Sequence, residues 1–178
     1  MKTPPPDPIL NAINDGIRRS INVVIENQCF GATIILIFAA IDAMSHINRP
    51  PGEKYNDSDD FKIWVGKYFH VFGQTKVTRD EWWAARNAIL HTYGAYSKLH
   101  EQPGIRQIGW ITNSKAHILY EPSVAPQLVM VDILAMRDAF FKGMDSFLIE
   151  VFADPTRKEL MEQRINELIM TFPGKKGL

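Results

Sequence analysis

The sequence predicts an all-α, single-domain helical bundle of about six helices with one inserted β-hairpin, at about residues 105–120. Apolar residues recur at intervals of three and four along most of the chain, the spacing that lines one face of a helix. Capping signatures stand at several of the points where those runs begin. A length of 178 residues, 46% hydrophobic and 22% charged, suits one globular core over 1–178, large enough to fold without disulfides or a structural metal.

Asp7-Pro8 joins a carboxylate N-cap to a proline at the first helical position. Ile9, Ile13, Ile17, Ile21, Val24 and Ile25 then follow at helical spacing, predicting a helix over 8–27. Residues 31–47 form a second helix, apolar nearly all round from Ile34 to Ile41, as expected at the centre of a bundle. Its apolar run from Cys29 stops at Asp42, short of the roughly twenty residues a bilayer needs, so a buried helix is expected. Two prolines and a glycine make 48–60 a solvated loop, followed by a third helix over about 60–71.

Thr78 and Glu81 match the capping box, in which hydroxyl and carboxylate each satisfy an orphan amide, so a fourth helix starts at Arg79. It is expected to run to Glu101, where Pro103-Gly104 stops it. Ile105–Ile111 and Ala116–Tyr120, rich in β-branched and aromatic residues, flank Thr112-Asn113-Ser114-Lys115 as a hairpin. Pro126 then leads into a long helix to Ala153, with Ile133, Phe140, Met144, Phe147 and Val151 as a near-heptad stripe. A last helix is capped by Asp154-Pro155-Thr156 with Glu159. Leu160, Met161, Ile165, Leu168, Ile169 and Phe172 line its face before Pro173-Gly174.

Charge and cysteine content narrow the functional classes. Lys and Arg number 20 against 20 Asp and Glu, so no global field draws duplex DNA or an anionic membrane. The single cysteine excludes intrachain disulfides and zinc sites needing two thiolates, and a buried, inert Cys29 is expected. The N-terminal MKTPPPDPIL lacks the basic and apolar regions of a secretory signal, so a cytoplasmic location is expected. There is no glycine-rich phosphate loop, HExxH helix, GxSxG elbow or CxxC pair. Asp42 and His46, four apart, share a helix face and read as a hydrogen-bonded polar pair rather than a metal site. His70, His100 and His117 read as isolated surface or half-buried histidines.

The fourth helix carries the one organised polar face. At 100° per residue, Arg86, Asn87, His91 and Tyr93 fall within an arc of roughly 160°. Ala84, Ala88, Thr92, Ala95 and Leu99 lie opposite, where small side chains admit another helix closely. Trp82, Trp83 and Tyr93 read either as core aromatics of a central helix or as faces on which unpaired bases can stack.

The string RNAILHTY, Arg86 to Tyr93, resembles the signature of the HEPN superfamily (higher eukaryotes and prokaryotes nucleotide-binding). These are helical bundles in which Arg, commonly followed by a polar residue, precedes His by four to six positions. Arg86, Asn87 and His91 match those places. Tyr93 matches the HxY extension of toxins whose partner nucleotidyltransferase, acting as antitoxin, adenylylates the Tyr. The resemblance implies a metal-independent endoribonuclease without cofactor, its site composed across a homodimer, in a toxin or antiviral setting.

The residue types suit that chemistry. RNA cleavage without metal needs a base for the 2′-OH, a cation for the phosphorane and an acid for the 5′ oxygen. His91 is the imidazole for proton transfer, Arg86 the bidentate phosphate brace, and Asn87 the group that orients either. Two alternatives remain open. One is a noncatalytic bundle whose Arg86 and His91 groove binds a nucleotide or RNA end, or cements the dimer. The other is a partner-binding bundle that works through the Phe140 stripe.

Overall fold

The structure, a computed structural model, describes residues 7–168. The Asp7 carboxylate accepts the amides of Ile9 and Leu10 at 2.9 and 3.3 Å, so the first rod starts where its cap dictates. It runs through α1 (Pro8–Asn11), a π-helical stretch (Ala12–Arg18) and α2 (Arg19–Glu26). Gln28 (φ 55°) turns the chain into α3 (Phe30–Asn48). That turn leaves Cys29 outside the helix, exposed and bonded through Sγ to the Asn27 carbonyl at 3.6 Å, which corrects the expected buried thiol.

α3 is long and apolar enough to cross a membrane by length and composition, with half of its most apolar window buried in this fold. Ile34, Ile37, Phe38, Ile41 and Met44 pack in the core, and α3 touches the first rod, α4 (Ser58–Tyr68), α5 (Arg79–Thr92), α6 (Ile133–Ala153) and α7 (Pro155–Arg164). It is the central helix that its all-round apolarity predicts.

Local capping fixes the other starts. Asp57 and Asp60 form a reciprocal capping box on α4, and Thr78 and Glu81 form the expected one on α5. Asp154 accepts the amides of Thr156 and Arg157 at the start of α7, which ends in a 3-10 turn over Ile165–Glu167. The continuation of this helix through Ile169 and Phe172 to Pro173-Gly174 lies outside the described residues.

Among the described residues the first rod and α3 to α7 make six helices, which with a small three-stranded sheet leave the fold mostly helical, though not purely all-α. The sheet is not the expected hairpin. β1 (Gln107–Ile111) and β2 (Ile118–Leu119) do not pair with each other; β3 (Leu128–Asp132) lies between them, parallel to β1 and antiparallel to β2. The segment 128–132 was expected to be helical. Val129 and Val131 alternate into the core, and the long helix begins only after Asp132, whose carboxylate accepts the amides of Ala135 and Ser114.

The stripe Ile133, Phe140, Met144, Phe147 and Val151 is buried inside the chain, between 0 and 3% exposed. Phe140 and Phe147 lie against Trp64, with ring centroids 6.0 and 6.3 Å away. That stripe is therefore core, and the reading that made it a partner-binding face is set aside on its burial. At Gly143 the backbones of α6 and α4 come close together: a Cβ there would stand 2.2 Å from the Tyr68 carbonyl oxygen.

Candidate functional site

α5 begins at its capping box and is anchored from below by Glu81. This fully buried carboxylate accepts Thr78 N–H at 2.7 Å and Arg106 Nε at 2.5 Å. Burial pushes the Glu81 carboxyl up, but the Arg106 guanidinium and the two amides outweigh it and hold the group below the usual carboxylate range. One face of the helix packs inward through Trp82, Ala84, Ala85, Ala88 and Ile89. The predicted polar residues emerge on the other.

Arg86 leaves α5 toward α3. Its Nε and Nη2 donate to the Asp42 carboxylate at 2.9 and 2.6 Å, a two-point clamp that fixes the guanidinium plane. The third nitrogen, Nη1, lies 3.3 Å from Asn87 Oδ1 and 3.3 Å from His91 Nε2. The arginine only donates, so in this bond His91 Nε2 is the acceptor. Asn87 Nδ2 donates to the Trp83 carbonyl at 2.8 Å, which turns its oxygen toward Arg86. The triad read from the sequence is thus one hydrogen-bonded cluster, with the guanidinium also over the Trp83 ring at 5.0 Å.

Asp42 is the partner that the sequence reading assigned elsewhere. It does not pair with His46, whose ring nitrogens instead face Asn56 and Glu167 at 3.2 and 2.8 Å. Burial pushes the Asp42 carboxyl above its ordinary range, and the Arg86 guanidinium pulls it back only in part. No group of three or more His, Cys, Asp or Glu side chains able to hold a metal occurs among the described residues.

The helix stops at Thr92, not at Glu101. Tyr93 takes the left-handed conformation (φ 53°, ψ 26°), and the amides of Tyr93 and Gly94 donate to Ile89 and Ala88. The chain then doubles back along α5, tied by Ser97 Oγ to the Ala84 carbonyl at 3.0 Å and ending in a 3-10 turn over Lys98–Glu101. Between helix and returning chain lies an open cleft of about 510 Å³, lined by Trp83, Asn87 and His91 on one side and Tyr96, Ser97 and Lys98 on the other. These last three went unnoticed in the sequence, although Gly94 is a helix-stop signal that points to the turn creating them.

The aromatic candidates divide. Trp82 is 2% exposed and packs edge-on against Phe38 and Phe69, which leaves no face for a base and removes it from the expected stacking set. Trp83 is half-buried against Phe61 and walls the cleft. Tyr93 is exposed, but its hydroxyl lies over Gly31 in the first turn of α3, outside the cleft lining.

No family model, no curated protein and no solved structure matches this chain.

Proposed function

We propose that the chain is a HEPN-type, metal-independent endoribonuclease of the cytoplasm, acting in a toxin or antiviral role. The observation that carries this reading is the convergence of Arg86 Nη1, Asn87 Oδ1 and His91 Nε2 at the rim of an open cleft, with Arg86 held in place by Asp42. A scissile phosphate placed there takes the Nη1 donor away from His91. That frees the Nε2 lone pair to accept the proton of the adjacent 2′-OH. The 2′ oxygen attacks phosphorus, the guanidinium stabilises the growing phosphorane charge, and the bond to the 5′ oxygen breaks.

The leaving oxygen needs a proton from a second acid. In a symmetric homodimer, His91 of the partner subunit supplies it, so each cleavage draws on both copies. The products are a 2′,3′-cyclic phosphate and a 5′-OH. A nucleotidyltransferase antitoxin that adenylylates the exposed Tyr93 is the partner the motif resemblance adds.

A second reading draws on the Asp42 clamp itself. Asp42 occupies two of the guanidinium nitrogens, so Arg86 also ties α5 to α3, as it would in a noncatalytic bundle that only holds an RNA end or a nucleotide. The deciding experiment is cleavage of total RNA and tRNA in EDTA by the purified wild type and His91→Ala, with the new ends mapped. Cleavage by the wild type alone, leaving 5′-OH ends, supports the enzyme. No cleavage by either protein, or equal cleavage by both, leaves the binding reading.

A further inference from the structure

Tyr96 and Lys98 have no part in the cleavage chemistry, yet both face the same cleft. Tyr96 is 55% exposed, and one face of its ring stacks on the His100 imidazole at 5.1 Å and 26°. His100 is itself held, since its Nδ1 accepts the Ser97 amide at 2.9 Å and lies 3.1 Å from Ser97 Oγ. This stacking restrains the phenol ring before any ligand arrives, which lowers the side-chain freedom a stacked ligand has to remove. Lys98 is exposed and has no ion-pair partner among the described residues. Across from them, Trp83 closes the cleft.

We infer that this cleft is a subsite for one unpaired base of single-stranded RNA, stacked on the free face of Tyr96, with Lys98 on the neighbouring phosphate. The inference takes its RNA ligand from the phosphate-site reading of Arg86 and His91. The stacking itself does not require that the bond be cut. A formal net charge of zero gives the protein little general attraction for a phosphate backbone, so affinity has to come from contacts of this kind. In a duplex both faces of every base are already covered by its neighbours. The subsite consequently directs the enzyme to loops and unpaired ends rather than to helices.

The test is equilibrium binding of a mixed-sequence dodecanucleotide with 2′-O-methyl riboses, which cannot undergo 2′-OH attack, alone and annealed to its complement. It is run on the wild type, Tyr96→Ala, Tyr96→Phe and Lys98→Ala, each checked for an unchanged melting curve. The single strand should bind the wild type at least tenfold more tightly than the duplex. Tyr96→Ala should lose about tenfold while Tyr96→Phe keeps the affinity, because the π-face and not the hydroxyl is used. Lys98→Ala should weaken binding and flatten its salt dependence. Equal binding of both forms, unchanged affinity in Tyr96→Ala, or no binding by the wild type overturns the inference. Selective binding that depends on Tyr96, in a protein that cuts no RNA, would leave the subsite standing and remove only the cleavage reading.

Discussion

Arg86 on α5 and Asp42 on α3 form a two-point ion pair, at 2.9 Å from Nε and 2.6 Å from Nη2, that joins the central helix to the one bearing the polar face. Both side chains are about one-fifth exposed, 19 and 22%, so water screens the pair only in part. Truncating either member leaves the other charge half-buried and unmatched.

Asp42→Ala should cost about 1–3 kcal/mol in urea unfolding, and Arg86→Ala a similar amount. The double variant should lose less than the sum, because the partner is no longer stranded. Strict additivity would show that the pair carries no coupling. In the cleavage assay Asp42→Ala should lower the rate with the fold retained at low temperature, since the released guanidinium no longer presents Nη1 beside His91.

Two glycines should respond differently to the same added methyl. Gly143→Ala drives a Cβ into the Tyr68 carbonyl oxygen, backbone that moves only with its helix, and should cost at least about 1–3 kcal/mol. Gly31→Ala meets only the far end of the exposed Tyr93, which can swing away, and alanine is the better helix former by about 0.5–1 kcal/mol. That variant should be near neutral, and Tyr93 should become more accessible to nitration. Equal destabilisation of both would contradict the packing described for α4 and α6.

Acid should weaken the protein through carboxylates that are more acidic when folded. Glu81 is one, held down by Arg106 and the capping amides against the effect of burial. Glu150 is another, lowered from 4.5 to about 2, chiefly by its bond from Lys67 and, against burial, by those from Tyr68 and Arg157. A depressed folded value means that the unfolded chain takes up protons first. The stabilisation is complete above the ordinary carboxylate range and is lost as pH falls toward the folded value, for Glu150 between about 4.5 and 2. Urea midpoints followed from pH 7 to pH 2 should fall in that window. Glu81→Gln should begin lower and fall less steeply, and a curve parallel to the wild type would exclude Glu81 from the acid transition.

Cys29 stands exposed just before α3 rather than inside it. One equivalent of a thiol reagent such as dithionitrobenzoate should react in native buffer without denaturant, leaving the melting curve unchanged. A thiol that reacts only after unfolding would place the residue back in the core.

Three helix starts were legible because their determinants are local, whereas α4 begins at Ser58 on an unforeseen Asp57 cap and α6 only at Ile133. Asp7, Thr78 with Glu81, and Asp154 satisfy amides two or three residues away where the sequence puts those caps, although at the last helix Asp154 caps alone and the expected box with Glu159 does not form. The same holds for Arg86, Asn87 and His91, which share a face because helical geometry fixes the angle between them. Helix ends were harder to read. α5 stops at Thr92, nine residues short of the expected Glu101, because Tyr93 takes a left-handed conformation uncommon for a tyrosine, and Gly94 was the faint signal.

Register and partnership belong to contacts distant along the chain. Leu128–Asp132 carries both a strand alternation and a helical continuation, and it is a strand because β1 and β2 offer it edges on both sides. Asp42 faces Arg86 across 44 positions, and Trp82 and Trp83, adjacent in sequence, are separated into core and cleft by what packs against each. By itself the sequence determined a helical core, the capped starts at Asp7, Thr78 and Asp154, and one polar face, all set by hydrogen bonds and angles that span a few residues. The tertiary structure alone decided which carboxylate clamps Arg86, which tryptophan meets solvent, and where the returning chain opens a cleft, because those outcomes depend on which surfaces exclude water from one another when the whole chain packs.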